Sequence, residues 1–378
     1  MHENTSINSN NLIIISHSAR ALSESATRAG WNVVSVDGFA DIDTLNACVE
    51  CWCLPLERGE FVKSSLHNCV NKIKQRYREA KVILGAGAEK YASYIEKVTQ
   101  WQLCMNPTQV VEQIRNPQRF FEGLSNLQIP YPEVRFKPPE NRELWLFKLQ
   151  DRCGGTGVLR ASTTEESGYW QREIFGKPFS ALCITDGEEL VCLGVNSQFF
   201  TSEIEGLPYI YQGALANTDV GIKFNLKTII YISKIASYFN LVGVFSVDMI
   251  HAREEDEDVL YVLEVNPRIS ASFELYERIN SDINLVDAHI RLCEGEQLLP
   301  DIELNESKSA YSIVYAEDDC QVPDDIEWPV WVKDRPEGSR KILKNEPICS
   351  VHADASESGV SLEALLQNRV KQILNIIN

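Results

Sequence analysis

The chain has 378 residues, and at about 150 residues per domain this length predicts two or three domains. Hydrophobic residues make up 44% and charged residues 24%, which is typical of a globular protein and excludes a fibrous or wholly disordered chain. Asp and Glu outnumber Lys and Arg by 54 to 36, and the resulting net charge of −18 disfavours nucleic acids and anionic membranes as partners.

The amino terminus gives no sign of a targeting segment. Residues 1–11 are mostly polar, and the apolar run Leu12 to Ile15 is too short for a signal peptide or a membrane span. We therefore expect a cytoplasmic protein whose eleven cysteines are reduced. Cys48, Cys51 and Cys53 have the spacing of metal ligands but lack a fourth ligand, which favours a partly apolar sheet segment over a zinc site.

The first part of the chain has the pattern of a parallel α/β sheet. Short apolar runs, which predict strands, alternate with helical periodicity and end at polar or glycine-containing turns. The predicted elements are a strand at 12–16, a helix from Ala19 to Gly30, a strand at 33–36 and a strand at 82–84. We expect this α/β domain to run to about residue 108.

The rest of the chain has the pattern of an α+β domain with antiparallel strands. Asn116-Pro117 predicts the start of a helix, and Asp186-Gly187 predicts a hairpin. The other predicted elements are strands at 145–149, 181–184, 190–195, 243–250 and 259–266, helices at 225–239 and after Ser361, a glycine loop at 154–157, and a solvated acidic stretch at 301–327.

Two of these strands place oxygen ligands on one face of a sheet. Glu264 and Asn266 lie two residues apart in one strand and therefore point to the same side. Asp248 lies near the end of the preceding strand, and a hairpin would bring it beside Glu264. Two carboxylates and an amide oxygen suit Mg²⁺ bound to nucleotide phosphates. A merely solvated polar face is the alternative, and the apolar run at 261–263 argues against it.

A phosphate site is predicted at Lys148 and the loop Gly154-Gly155-Thr156-Gly157 that follows it. A strand lysine contributes charge, and the backbone N–H groups of a glycine loop contribute hydrogen bonds. The segment Gln171 to Ile174 is predicted to link two lobes, with backbone groups that pair with an adenine edge. The sequence contains no P-loop, no H-E-x-x-H and no G-x-S-x-G, which argues against a histidine metal centre and a serine hydrolase.

The order of these parts resembles the ATP-grasp superfamily. The resemblance rests on the leading α/β domain, the helix end Ile129-Pro130-Tyr131-Pro132, Lys148, the glycine loop, and the string LEVNPR from Leu263 to Arg268. It implies an ATP-grasp fold, mixed α/β and α+β. The implied parts are an N-terminal Rossmann-like pre-ATP-grasp domain at 1–108, a small lobe at 109–170 and a large lobe at 171–378.

The resemblance also implies the ligands and their contacts, with ATP and Mg²⁺ as cofactors. Lys148 and Arg268 would be catalytic, and Arg268 would face the transferred phosphoryl group or an acyl phosphate. The implied ATP contacts are Lys148, Gly154, Gly155, Thr156, Gly157, Gln171, Arg172, Glu173 and Ile174. The implied Mg²⁺ ligands are Asp248, Glu264 and Asn266.

One feature of the superfamily is missing from the sequence. Many ATP-grasp proteins carry a second phosphate-binding lysine near the start of the helix that begins here at Pro117, whereas no lysine lies between Val98 and Phe136. An arginine near that helix start would take its place, helped by the positive end of the helix dipole. We prefer Arg119, one turn into the helix, over Arg115, which precedes it.

ATP-grasp enzymes of this kind join a carboxylate to an amine through an acyl phosphate, and such a reaction needs no covalent nucleophile. His17, Ser18 and Arg20 follow the first strand, where α/β folds bind ligands, and are predicted to contact the substrate together with Arg268. A helix start capped by Ser18, with Arg20 exposed, is the alternative for this loop.

Shorter strings resemble a carboligase-like group that includes tyramine–glutamate ligase of methanofuran synthesis. These strings are Ser18-Ala19-Arg20 with Asp37, Asp334-Arg335-Pro336, and Pro347-Ile348-Cys349-Ser350-Val351. They imply a ligase acting on a glutamate-like carboxylate in the synthesis of one-carbon carrier cofactors. A bicarbonate-using ATP-grasp carboxylase and a non-catalytic nucleotide-binding subunit are the alternatives.

Overall fold

A computed structural model describes residues 10–377, apart from 161–166, 202–203, 205, 220–221, 255–256, 298, 300 and 358. The described chain contains one parallel sheet in its first part and two antiparallel sheets in its second part, with two further two-stranded pairs. Among the helices within these residues, none is long and apolar enough to cross a membrane.

The N-terminal domain is built on a five-stranded sheet. Its strands are β1 (Asn11–Ser16), β2 (Asn32–Asp37), β3 (Glu50–Cys53), β6 (Lys81–Leu84) and β7 (Gln102–Leu103), and a small hairpin joins β4 (Leu56–Glu57) to β5 (Glu60–Phe61). The connecting helices are α1 (Arg20–Arg28), α2 (Ile42–Ala47), α3 (Lys63–Arg76) and α4 (Ala92–Val98). The strand order β3-β2-β1-β6-β7 and the parallel pairing of all neighbours confirm the predicted α/β sheet.

The central strand β1 is apolar throughout because both of its faces are covered. Leu12 and Ile14 pack into a core that α1 shares with the C-terminal part of the chain. Ile13 and Ile15 point to the other face and pack into a core with α3. All four side chains are fully buried, which explains why the strand is a continuous apolar run without alternation.

The small lobe consists of two helices and a four-stranded antiparallel sheet. Its elements are α5 (Thr108–Arg115), α6 (Pro117–Asn126), β8 (Val134–Arg135), β9 (Trp145–Leu149), β10 (Val158–Arg160) and β11 (Gly168–Arg172), with strand order β10-β9-β11-β8. The Asn116 side chain accepts a hydrogen bond from the Arg119 backbone N–H at 3.1 Å, which confirms the predicted helix start. Gln171 and Arg172 end β11, so half of the segment predicted as a linker is strand.

The large lobe is an eight-stranded antiparallel sheet. Its strands are β12 (Lys177–Thr185), β13 (Leu190–Thr201), β14 (Ile210–Leu215), β15 (Gly243–Glu254), β16 (Glu257–Asn266), β17 (Ser309–Tyr315), β19 (Val332–Lys333) and β21 (Pro347–Asp354), in the order β16-β15-β12-β13-β14-β17-β21-β19. The remaining elements are α7 (Ile222–Phe239), α8 (Phe273–Ile279), α9 (Leu285–Cys293), α10 (Leu362–Ile377) and the short pair β18 (Cys320–Gln321) and β20 (Lys341–Ile342). The two predicted hairpins and the closing helix are confirmed.

The acidic stretch predicted to be solvated contains a buried strand. Residues 301–308 carry no regular structure and are mostly exposed, as the charge pattern predicts. The following strand β17 lies inside the sheet between β14 and β21, and most of its residues are buried. The acidic side chains lie on either side of this strand. A prediction based on the composition of the whole stretch therefore missed the short uncharged strand within it.

Arg20 joins the N-terminal domain to the large lobe. Its guanidinium donates all five of its N–H groups to the carboxylates of Glu24, Glu274 and Asp334, at distances of 2.5 to 3.3 Å. Glu274 lies in α8 and Asp334 directly follows β19, so one buried cation connects three segments far apart in sequence. Only 5% of the arginine side chain is exposed.

We expect Arg20→Met to lower the free energy of unfolding by about 3–5 kcal/mol, because it leaves a buried group of carboxylates without their cation. Arg76→Met is the matched control, since the Arg76 side chain is 61% exposed and its ion pair with Glu50 contributes less than about 1 kcal/mol. Urea unfolding measures both variants. Equal, small losses would show that Arg20 does not hold the domains together.

Candidate active site

A cleft of about 1160 Å³ lies where the N-terminal domain, the small lobe and the large lobe meet. Residues from all three parts line it, including His17 from the first, Lys148 from the second and Asp248 from the third. A cavity of this size accommodates a nucleotide together with a small second substrate.

The three predicted magnesium ligands line this cleft together. The pairing of β15 with β16 sets Asp248 directly opposite Glu264, with a bulge immediately after Asp248. Asn266 lies on the same face as Glu264, and its Nδ2 donates to Asp248 Oδ2 at 3.3 Å. Gln198, from β13, donates its Nε2 to the other oxygen of Asp248 at 3.2 Å. No sequence pattern predicts the contact of Gln198, because it depends on how β13 packs beside the other strands.

The chemistry of these side chains fits a divalent cation. Burial and the adjacent Glu264 carboxylate raise the pKa of Asp248 well above its usual range. A cation bound between the two carboxylates would relieve this repulsion, and oxygen donors of this kind are those that Mg²⁺ prefers. Asn266 Oδ1 accepts a hydrogen bond from Arg268 at 3.2 Å. If this oxygen bound a metal ion, the metal bond would replace that hydrogen bond.

Lys148 lies at the centre of the small-lobe sheet and faces the carboxylate pair. Its strand, β9, is hydrogen-bonded on both sides, which holds the lysine in place. Burial lowers the pKa of Lys148, while the negative charges of Glu264 and Asp248 act in the opposite direction. The ammonium group is therefore close enough to the carboxylates for their fields to act on it.

The glycine loop approaches the large lobe closely. Gly154 and Gly155 both have positive φ, +63° and +80°, and both line the cleft with Thr156. A Cβ on Gly155 would lie 1.7 Å from the Tyr209 carbonyl oxygen, so this position requires glycine. Gly157 is not among the cleft-lining residues and packs against Arg152 instead, so the predicted role of covering phosphates is limited to the first three residues of the loop.

The predicted adenine segment, Gln171 to Ile174, lines the cleft along its whole length. The backbone N–H groups of Arg172 and Glu173 are already donated to Glu133 and Leu144 carbonyl oxygens at 2.8 Å. The Gln171 side chain is only 2% exposed, and its Nε2 has no hydrogen-bond partner within the described chain. This amide is therefore available as a donor to a base edge, whereas those two backbone N–H groups are not.

Of the two candidate arginines, the structure places Arg115 in the cleft and Arg119 outside it. Arg115, at the end of α5, lines the cleft and pairs with Asp151. Arg119 is exposed and is not among the lining residues. The geometry therefore favours Arg115 over Arg119 for the phosphate contact, because the Arg119 side chain, one turn into α6, lies outside the cleft.

The loop after β1 lies at the cleft. His17, Ser18 and Arg20 all line it, but Arg20 donates every N–H group to Glu24, Glu274 and Asp334 and positions these carboxylates. The alternative, a helix start capped by Ser18 with Arg20 exposed, is wrong, because Arg20 is only 4% exposed and the residue before the helix is Ala19, without a side-chain cap. The Ala19 N–H donates to a buried Asp37 oxygen at 2.5 Å.

Arg268 is held by a carboxylate that sequence reasoning missed. Its Nε donates to Glu89 Oε1 at 2.5 Å, and both residues are buried and line the cleft. Burial works against the charged guanidinium, but the charge and hydrogen bond of Glu89, together with other nearby negative groups including Glu264, raise the pKa of Arg268. The glycine-containing turn after β6 was the available signal, because it places Glu89 at the carboxyl edge of the parallel sheet.

Comparisons with known proteins agree with this architecture. A family model described as the ATP-grasp domain matches residues 115–272. The biotin carboxylase domain of Hydrogenobacter thermophilus 2-oxoglutarate carboxylase, solved with MgADP, ADP and bicarbonate, has a TM-score of 0.72 and 13% identity, covering 98% of this chain and 90% of that one. The L-amino acid ligase of Bacillus licheniformis has a TM-score of 0.65 and 15% identity, covering 96% and 97%.

The chain therefore has the ATP-grasp fold, with an N-terminal α/β domain ahead of the matched region. A comparison with curated proteins found no match.

We expect Gly155→Ala to lower the free energy of unfolding by about 2–5 kcal/mol, since left-handed backbone costs about 1–2 kcal/mol and overpacking about 1–3 kcal/mol. Gly154→Ala is the control, because the space around Gly154 is open and only the backbone term of about 1–2 kcal/mol applies. Urea unfolding measures the difference. Similar losses for both variants would mean that the contact with Tyr209 does not constrain the loop.

Proposed function

We propose that the protein is an ATP-dependent ligase that joins a carboxylate to an amine through an acyl phosphate. The proposal is carried by one observation, the paired carboxylates of Asp248 and Glu264 facing Lys148 within one cleft. This combination suits ATP phosphates, because the carboxylates can hold Mg²⁺ and the lysine can neutralise phosphate charge. The ATP-grasp fold supports the same proposal.

In this proposal the cleft binds ATP along the contact between the two lobes. Gly154, Gly155 and Thr156 cover the phosphates, and the unpartnered Gln171 amide donates to the adenine edge. Mg²⁺ held by Asp248, Glu264 and Asn266 would neutralise charge on the phosphates. Their arrangement around one cleft would bring the phosphates, the metal and Lys148 together.

The proposed reaction has two steps. The substrate carboxylate attacks the γ-phosphorus of ATP, and ADP leaves as the acyl phosphate forms. The amine then attacks the acyl carbon, inorganic phosphate leaves, and the amine loses a proton as the amide bond forms. Arg268 donates three of its five N–H groups, to Glu89, the Ile269 carbonyl oxygen and Asn266. The other two remain for the oxygens of the acyl phosphate, whose charge they would stabilise.

The acidic side chains beside Arg20 favour an amine as the second substrate. Glu274 and Asp334 line the cleft, and both are shared with Arg20. Together with Glu24 they carry three negative charges, against the positive charges of Arg20 and Lys333. The remaining negative charge would attract an ammonium group, which releases one proton to solvent before its nitrogen attacks the acyl carbon.

The carboxylase alternative has the fold similarity to biotin carboxylases in its favour, but that similarity applies to the fold alone. The resemblance of the short strings around Ser18, Asp334 and Pro347 to the tyramine–glutamate ligase group supports a glutamate-like carboxylate as the first substrate. It also supports a place in the synthesis of one-carbon carrier cofactors.

The test is ADP release from the purified protein with Mg²⁺-ATP, across a panel of amino-acid carboxylates and amines. We expect release that requires both a carboxylate and an amine. Glu264→Gln should reduce turnover by about 100-fold or more, because it removes charge beside the transferring phosphoryl group. Glu257→Gln, on an exposed part of the same strand, is the matched control and should leave turnover unchanged.

Two outcomes of this assay would overturn the proposal. ADP release with bicarbonate and no amine would identify a carboxylase. ATP binding without ADP release for every pair tested would identify a nucleotide-binding subunit.

Arg115→Ala should raise the dissociation constant for Mg²⁺-ATP by about 10-fold or more, which corresponds to one lost charge-assisted hydrogen bond. Arg119→Ala is the control on the neighbouring helix and should leave the constant unchanged, because that side chain is exposed outside the cleft. Isothermal titration measures both variants. If Arg119→Ala weakens binding and Arg115→Ala does not, the reversal of their roles is wrong.

A further inference from the structure

Three side chains of mixed donor chemistry converge beside the glycine loop. They are His17, which follows β1, Glu60 in β5, and Cys153, which directly precedes Gly154. One ligand atom from each lies within 4.8 Å of the other two. Cys153 Sγ is 3.2 Å from His17 Nδ1, and His17 Nε2 is 3.8 Å from a Glu60 carboxylate oxygen. Cys48, Cys51 and Cys53 do not converge in this way in the described chain.

Two atoms of this cluster are buried without a partner. His17 is only 8% exposed, yet its Nε2 has no hydrogen-bond partner in the part of the chain that the structure describes. Glu60 Oε1 is in the same situation, while the other carboxylate oxygen pairs with Lys90. Buried polar atoms are nearly always satisfied, so two unpartnered atoms within one cluster indicate an absent ligand.

We propose that His17, Glu60 and Cys153 bind one divalent transition metal ion of the zinc class. Imidazole nitrogen, thiolate sulfur and carboxylate oxygen are the donors that zinc takes, whereas Mg²⁺ prefers oxygen alone. Three protein ligands leave a fourth position for water. On binding, the bond from the metal to Cys153 Sγ replaces the S–H bond, and the proton passes to solvent.

The donor set of this site is separate from that of the magnesium site, which consists of oxygens only. Burial lowers the pKa of His17 to about 4, so its imidazole is neutral near pH 7, as a metal ligand must be. The assignment also gives His17 a role other than the substrate contact predicted from the sequence.

The position of the site explains what the metal would do. Arg152 Nη1 already donates to the Arg58 carbonyl oxygen at 2.8 Å, and Gly59 packs against the Thr156 side chain. The β4–β5 hairpin of the N-terminal domain therefore contacts the glycine loop on both sides of Cys153. A metal held by Cys153, His17 and Glu60 would fasten that loop to the N-terminal domain.

The test uses the full chain, freed of metal with a chelator, and titrates it with Co²⁺ as a spectroscopic substitute for zinc. With excess Mg²⁺ present to occupy the oxygen site, we expect one Co²⁺ per chain, tetrahedral d–d absorption and a thiolate-to-cobalt charge-transfer band, all reversed by Zn²⁺. Cys153→Ser should abolish the charge-transfer band. His17→Gln and Glu60→Gln should each weaken binding by more than about 100-fold, since outer-shell changes alone cost 10–100-fold.

The matched controls are Cys53→Ser, an exposed cysteine outside the cluster, and Glu57→Gln in the same hairpin. Both should keep the spectrum and the affinity of the unmodified chain. The proposal is overturned if no Co²⁺ or Zn²⁺ binds, or if the band survives in Cys153→Ser and disappears in Cys51→Ser. Circular dichroism checks that each variant is folded, and should Cys153→Ser fail to fold, the His17 and Glu60 variants decide. Because the readout is metal binding, its result does not depend on the proposed ligase reaction.

Discussion

The cleft depends on the strand register that sets Asp248 opposite Glu264. Burial and this second carboxylate together raise the pKa of Asp248, so the pair is costly without a compensating charge. The structure reduces the cost with amide donors from Gln198 and Asn266 and with the field of Lys148. The two amides are neutral, and Lys148 belongs to the other lobe. A divalent cation bound between the two carboxylates would therefore offset their repulsion further.

Charged side chains of both signs line the cleft. Lys148 and Arg268 both lie close enough to the Glu264 carboxylate for its charge to act on them. Glu274 and Asp334 also line the cleft, and their charge is shared with Arg20. In the proposed reaction, the two cations would attract the phosphates, and the carboxylates beside Arg20 would attract the amine in its ammonium form.

Features that depend on nearby residues were predictable from the sequence, and features that depend on distant residues were not. Asp248 and Glu264 belong to one hairpin, so strand periodicity was enough to place them together. Arg20 pairs with Glu274 and Asp334, which lie 254 and 314 residues further along the chain, and no local sequence pattern predicts such contacts. Arg115 and Arg119 lie four residues apart around a helix boundary, and only the packing of α5 and α6 decides which one faces the cleft.

The net charge of −18 places a further constraint on an ATP-binding protein, because the surface as a whole repels a polyanion. At physiological salt, repulsion between exposed charges is screened beyond about 8 Å. Surface charges farther than this from a nucleotide in the cleft would therefore repel it only weakly. Inside the cleft, Lys148, Arg115 and Arg268 act over shorter distances and with less screening. Mg²⁺-ATP carries less negative charge than free ATP, and the Asp248–Glu264 pair would repel the free nucleotide. In the proposed function, the same carboxylates that make the empty cleft costly would therefore select the magnesium complex over ATP alone.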